Sequence, residues 1–295
     1  MRLSFTFTAL FPRNLTNPSF FLPIGLLTFS SSLSPSFYVS DSESQVLQLL
    51  LNKYGLCETW GLATAEEFVP VPRLCRYILA VYEEDIRHPL WEPPGGYGIN
   101  PDWLILKKTY QVTKGCAPPY ILYLDHDHAD IVLAIRGLNM AKESDYQVLL
   151  DNKLGKKKFD GGYVHNGLLK AAGWVLDAEC DILKELVEKH PDYTLTFAGH
   201  SLGSGVASML ALVVVRHRDK LGNIDRRRIR CYAIAPARCM SLNLAVRYAD
   251  VIKSVVLQDD FLPRTATPLE DIFKSLFWYG WLDFIFHFNY SYVYS

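Results

Sequence analysis

Gly199-His200-Ser201-Leu202-Gly203 sets a serine between two glycines at a spacing with a chemical use. A serine hydroxyl is a weak nucleophile unless it is held clear of the backbone and beside a base. A sharp strand-to-helix turn does the holding, and glycines on either side remove the crowding that any Cβ would cause there. The flanking text supplies that context: the apolar run Tyr193 to Ala198 reads as a strand, and Gly203 to Arg216 as a helix. Ser201 is therefore the candidate nucleophile for attack on an acyl carbonyl, weighed against a structural Gly-Ser turn.

Such an attack creates an oxyanion, which needs two donors fixed in advance. The backbone N–H of Leu202, the residue after the serine, is the first candidate, at a helix N-terminus whose dipole favours negative charge. A second donor must come from the loop after a neighbouring strand. Ile131 to Ile135 ends at Arg136-Gly137-Leu138, which makes the Leu138 N–H the natural choice.

The elements that would position these groups alternate. Ile121 to Leu124 and Ile131 to Ile135 predict a hairpin around a polar turn that holds His126 and His128. Apolar residues at helical spacing predict a long helix over Asn166 to His190. Beyond the elbow come a strand at Ile229 to Ala235, a helix at Leu242 to Tyr248 and a strand at Ser254 to Gln258. Alternating strands and helices, with largely apolar strands, imply a parallel sheet covered on both faces. Upstream, Ser44 to Tyr54 and Thr64 to Glu84 read as helices, the second split by Pro70 and Pro72, while Trp91 to Trp103 reads as a loop.

Composition excludes several classes. With 30 basic and 31 acidic side chains, the chain has no basic excess for neutralising phosphates, which argues against nucleic acid. At 49% hydrophobic and 13% aromatic it has ample core material, and disorder is excluded as the dominant state. Six scattered cysteines without a C-x-x-C pair suggest neither a zinc ribbon nor a disulfide framework, and a reducing compartment fits best. The His-x-His of the hairpin turn is better read as solvated than as a metal site.

The motifs IRGLN, YVHNG, FAGHSLGSG and VVLQDDFLPR stand in the order and with approximately the spacing of the class 3, fungal-type lipases. The segment from Thr59 to Lys274 most resembles the plant diacylglycerol lipase-like members. That resemblance implies an α/β-hydrolase fold: a mostly parallel central sheet with helices on both faces, C-terminally truncated here relative to the family. It further implies hydrolysis of acylglycerol or other lipid esters without metal or organic cofactor, with Ser201 as nucleophile and the Leu138 region as oxyanion loop. A lid is expected within Asn139 to Asp151. The acid maps onto Asp260, with Asp259 as the neighbouring alternative. Independently of the family, an Asp just past the last apolar strand lies at the same sheet edge as Ser201.

In this fold the histidine follows the acid in the chain, and after Asp260 only His287 exists. The family's histidine lies farther downstream, past a cysteine-rich stretch that this sequence does not contain. His287 is thus the candidate base, set against an incidental histidine. Of the others, His200 is expected to point away from the serine, His165 to be a structural hydrogen-bonder, and His88, His190 and His217 sit in polar or terminal positions. A chain without its base would be a catalytically impaired lipase-like protein that binds lipid or a protein partner.

Three segments follow: a Ser-rich leader without acidic residues over 1–40, an α/β-hydrolase domain over 41–275, and an aromatic-rich tail over 276–295. The leader's composition suits a chloroplast or other organelle transit peptide, and the alternatives are a cytoplasmic or peripheral membrane location. Lys153, Lys156, Lys157 and Lys158 form one basic cluster and Arg226, Arg227 and Arg228 another, read either as solvated loops or as contacts to anionic lipid.

Overall fold

The computed structural model describes residues 65–152, 156–236, 238–257 and 260. The leader, the Ser44 to Tyr54 helix, Asp259, His287 and the aromatic tail lie outside the described residues.

A six-stranded sheet runs through the molecule in the order β1-β2-β3-β6-β7-β8. Strands β1 (Leu104–Lys108), β2 (Tyr120–Asp125) and β3 (Asp130–Ile135) pair antiparallel. From β3 the sheet continues parallel through β6 (Thr194–His200), β7 (Ile229–Ile234) and β8 (Ile252–Val255). The hairpin and the parallel half match the sequence pattern. Two details differ: β8 begins and ends earlier than its apolar run suggested, and β1 was not anticipated. Lysines at 107 and 108 disguise β1, because their charges are answered by distant groups. The Lys108 ammonium lies 3.3 Å from the buried Glu179 carboxylate, and Lys107 reaches the Glu83 and Glu84 carbonyl oxygens.

Alternation divides the core into two layers. Leu122, Leu124, Ile131, Leu133, Ile135, Leu195 and Phe197 face α5 (Asn166–Lys189) and α6 (Leu202–Arg216). Ile121, Tyr123, Val132, Ala134 and Ala198 face α2 (Pro70–Ala80) through Leu74, Tyr77 and Ile78. The short α1 (Ala65–Phe68) precedes α2, and Pro70 opens α2 at a position where its missing N–H costs nothing. Helices thus cover both faces, as a mostly parallel sheet requires.

Smaller elements decorate this frame. They are α3 (Tyr110–Thr113), α4 (Glu143–Leu150), the two-stranded β4 (Lys158–Phe159) and β5 (Gly162–Tyr163), and α7 (Leu242–Arg247). The arginine cluster is largely consumed by the fold. Arg226 pairs with Asp250 at 2.7 Å, and the Arg228 guanidinium donates to the Tyr193 and His190 carbonyl oxygens at the end of α5.

Candidate active site

β6 ends at His200, α6 begins at Leu202, and Ser201 turns the chain between them with φ 52° and ψ −118°. A non-glycine residue seldom adopts that backbone, and it persists only where the surroundings hold it. They do so on both sides. The Ser201 N–H donates to the Ile234 carbonyl oxygen on β7 at 3.0 Å, and its own carbonyl accepts from the Ser204 and Gly205 N–H groups at 3.1 and 3.3 Å.

The flanking glycines are forced by close approach. A Cβ on Gly199 would lie 2.3 Å from the Gly203 carbonyl oxygen, and one on Gly203 would lie 2.3 Å from the Arg136 and 2.6 Å from the Ile135 carbonyl oxygens. The first turn of α6 therefore rests directly on the end of β3. That contact sets the Arg136-Gly137-Leu138 loop beside the elbow. Leu202 is the first residue of α6, a position whose N–H has no partner within the helix.

Side chains fix that loop. The Gly137 N–H donates to the Tyr82 hydroxyl at 2.9 Å. The Arg136 guanidinium stacks over the Tyr82 ring at 4.2 Å and lies 5.5 Å from the Tyr110 ring. Two residues on, the Asn139 N–H donates to the buried Asp145 carboxylate at 2.8 Å, which also accepts from the Tyr110 hydroxyl at 2.7 Å. Burial raises the Asp145 pKa despite those bonds and despite the charges of Arg136 and Lys142. Sequence reading missed Tyr82, Tyr110 and Asp145, because contacts spanning 55 or 35 residues leave no local pattern. The expected lid segment contains α4, the helix that carries Asp145.

Asp260 follows β8, two strands from Ser201, and its N–H donates to the Leu257 carbonyl oxygen at 2.7 Å. Burial lowers the pKa of the His200 imidazole, and the Asp260 charge partly offsets this. The His200 ring packs against the loop: its Nδ1 stands 3.0 Å from where a Gly137 Cβ would sit. His165 is a helix cap. Its Nδ1 accepts from the Leu168 N–H at 3.3 Å, and its Nε2 faces the Leu149 carbonyl oxygen at 3.0 Å. In the hairpin turn, His128 Nδ1 lies 3.0 Å from Asp125 and His126 Nδ1 lies 2.8 Å from the Tyr193 hydroxyl.

Comparison with known proteins completes the picture. Residues 132–270 match the family description Lipase (class 3), and residues 32–99 match Lipase 3 N-terminal region. Diacylglycerol lipase-beta of Mus musculus is 28% identical over 168 residues, 54% of this chain and 23% of that protein. Diacylglycerol lipase-alpha of Homo sapiens is 26% identical over 156 residues, 50% of this chain and 14% of that one. The matched part thus spans less than a quarter of either relative. Among solved structures, a fungal lipase in an inhibitor complex superposes with a TM-score of 0.54 at 16% identity, covering 69% of this chain and 76% of that one. A lipase from Rhizopus microsporus var. chinensis gives 0.53 at 16% identity, covering 70% and 71%. The shared architecture is the α/β-hydrolase fold. Two family descriptions on one sequence, with that fold beneath them, mark residues 32–99 and 132–270 as class 3 lipase-like.

Proposed function

We propose that this protein is a serine-type lipid ester hydrolase acting on acylglycerols. Ser201 attacks the ester carbonyl, the Leu138 and Leu202 N–H groups hold the oxyanion, and Asp260 orients the histidine that takes the serine proton. His287, outside the described residues, is the candidate for that base. The observation that carries the reading is the left-handed backbone of Ser201 at a strand-to-helix turn, wedged by two glycines against the loop that bears Leu138. Strain at that position does nothing for the core, and it lifts a hydroxyl beside a helix N-terminus, where negative charge is favoured. The relatives' names, diacylglycerol lipase, supply the substrate class for testing.

The test is labelling with a fluorophosphonate, which traps an activated serine. Wild type should label and hydrolyse dispersed diacylglycerol, and Ser201→Ala should do neither. Retained labelling in Ser201→Ala would overturn the assignment. Unchanged labelling in His287→Ala would remove His287 as the base, and an unlabelled wild type would favour the impaired, lipid-binding reading.

A further inference from the structure

We infer that Leu90 and Trp91 form a docking tip that seats this end of the sheet on a neutral or zwitterionic lipid layer. The inference rests on the proposed lipid ester hydrolase reading.

Glu83, three residues past α2, is only 3% exposed. Burying a carboxylate is costly unless donors surround it, and here the loop supplies them. The Leu90 and Trp91 N–H groups each donate to it at 2.8 Å, and the Tyr97 hydroxyl donates at 2.5 Å. The backbone at 90 and 91 is thereby pinned by a buried charge. The side chains it carries nevertheless stand in water, Leu90 at 73% and Trp91 at 53% exposure. Single exposed apolar residues are ordinary; two large adjacent ones on an anchored backbone give the fold no burial in return for their ordering.

Their position supplies the purpose. Glu83 directly follows Tyr82, whose hydroxyl holds Gly137 in the oxyanion loop, and Lys107 ties the Glu83 and Glu84 carbonyl oxygens to β1. Tyr82 itself and Met140, three residues beyond Gly137, are also exposed. The apolar tip is therefore coupled through one residue to the loop that an ester carbonyl must approach. An indole suits the boundary between acyl chains and headgroups.

Charge selects the kind of surface. Beside the buried Glu83, residues 83–102 expose four carboxylates, Glu84, Asp85, Glu92 and Asp102, against one arginine, so anionic lipid would be repelled and attachment must come from apolar insertion.

The experiment uses the full chain carrying Ser201→Ala, with phosphatidylcholine vesicles as the probe. The parent should bind, and adding Leu90→Ala with Trp91→Ala should weaken partitioning by about tenfold or more, since two large apolar contacts are lost. Raising salt should change binding little, and mixing in phosphatidylserine should weaken it. Trp91→Phe should abolish a vesicle-dependent blue shift in tryptophan emission. On the Ser201-containing enzyme, the double alanine variant should lose hydrolysis of dispersed diacylglycerol in proportion while keeping turnover of a water-soluble short-chain ester. Equal vesicle binding by parent and double variant would overturn the inference, as would binding that requires phosphatidylserine, or loss of soluble-ester turnover. A wild type that hydrolyses neither ester would sink the hydrolase reading instead, and vesicle partitioning would still report separately on the tip.

Discussion

The two ends of β3 and β6 are built on opposite principles. At the end where β3 begins, charge is buried and answered. Arg73 of α2 bridges Asp125 and Asp130, Tyr77 donates to Asp125 at 2.7 Å, and the Thr194 and Thr196 hydroxyls donate to Asp130 at 2.6 and 2.7 Å. At the other end, Ser201 sits in a strained backbone, Asp145 is buried with a raised pKa, and the Arg136 Nε is buried without a hydrogen-bond partner among the described residues. One end holds the sheet together, and the other carries backbone strain at the proposed nucleophile. Paired charge and backbone strain are separated along the same strands, as the proposed function requires of a site where strain is confined.

Substitutions should expose that separation. The largest effect is expected from Ser201→Ala: ester turnover should fall about ten-thousand-fold or more while the melting temperature barely moves, read by initial rates and calorimetry. Arg73→Ala should do the reverse. It leaves two buried carboxylates without their counter-ion, so urea unfolding should register a loss of about 3–5 kcal/mol, with turnover per folded molecule retained. Equal damage to both properties by either variant would end the comparison.

Tyr82→Phe tests the clamp on the proposed oxyanion loop. Removing the acceptor for the Gly137 N–H should lower kcat on a soluble ester about tenfold and leave KM unchanged, because the loop is needed most in the transition state. A change confined to KM would assign Tyr82 to substrate binding instead.

The smallest effect is in the pH dependence of stability, where the two ends carry opposite signs. Burial opposes ionisation of Asp125, yet hydrogen bonds from Tyr77 and His128 and the charge of Arg73 prevail and hold its pKa below the ordinary value. Its contribution is therefore present above the unfolded carboxylate pKa and is lost as pH falls through the lower folded one. Asp145 has a raised pKa, so it costs stability as pH rises from the ordinary carboxylate range through its folded value. Urea midpoints measured from pH 3 to 7 should flatten at the acid end for Asp125→Asn and at the upper end for Asp145→Asn.

Legibility followed the range of the interactions. The elbow, the hairpin and the long helix were readable because glycine spacing and apolar periodicity are local. His165 was recognised as structural, and its capping bond to Leu168 spans three residues. The pairing of Tyr82 with Gly137 and of Glu83 with the Leu90–Trp91 backbone depends on tertiary approach, which no window of sequence contains. β1 escaped because its lysines look solvent-facing until Glu179 and the Glu83 carbonyl oxygen are brought to them.

The seating of Gly203 on the last carbonyl oxygens of β3 has a thermal consequence. The Ser201 hydroxyl and the proposed oxyanion loop share one mechanical reference, since neither can shift without dragging the packed sheet. Heating should not loosen one ahead of the other, and loss of turnover should coincide with cooperative melting of the whole sheet rather than precede it.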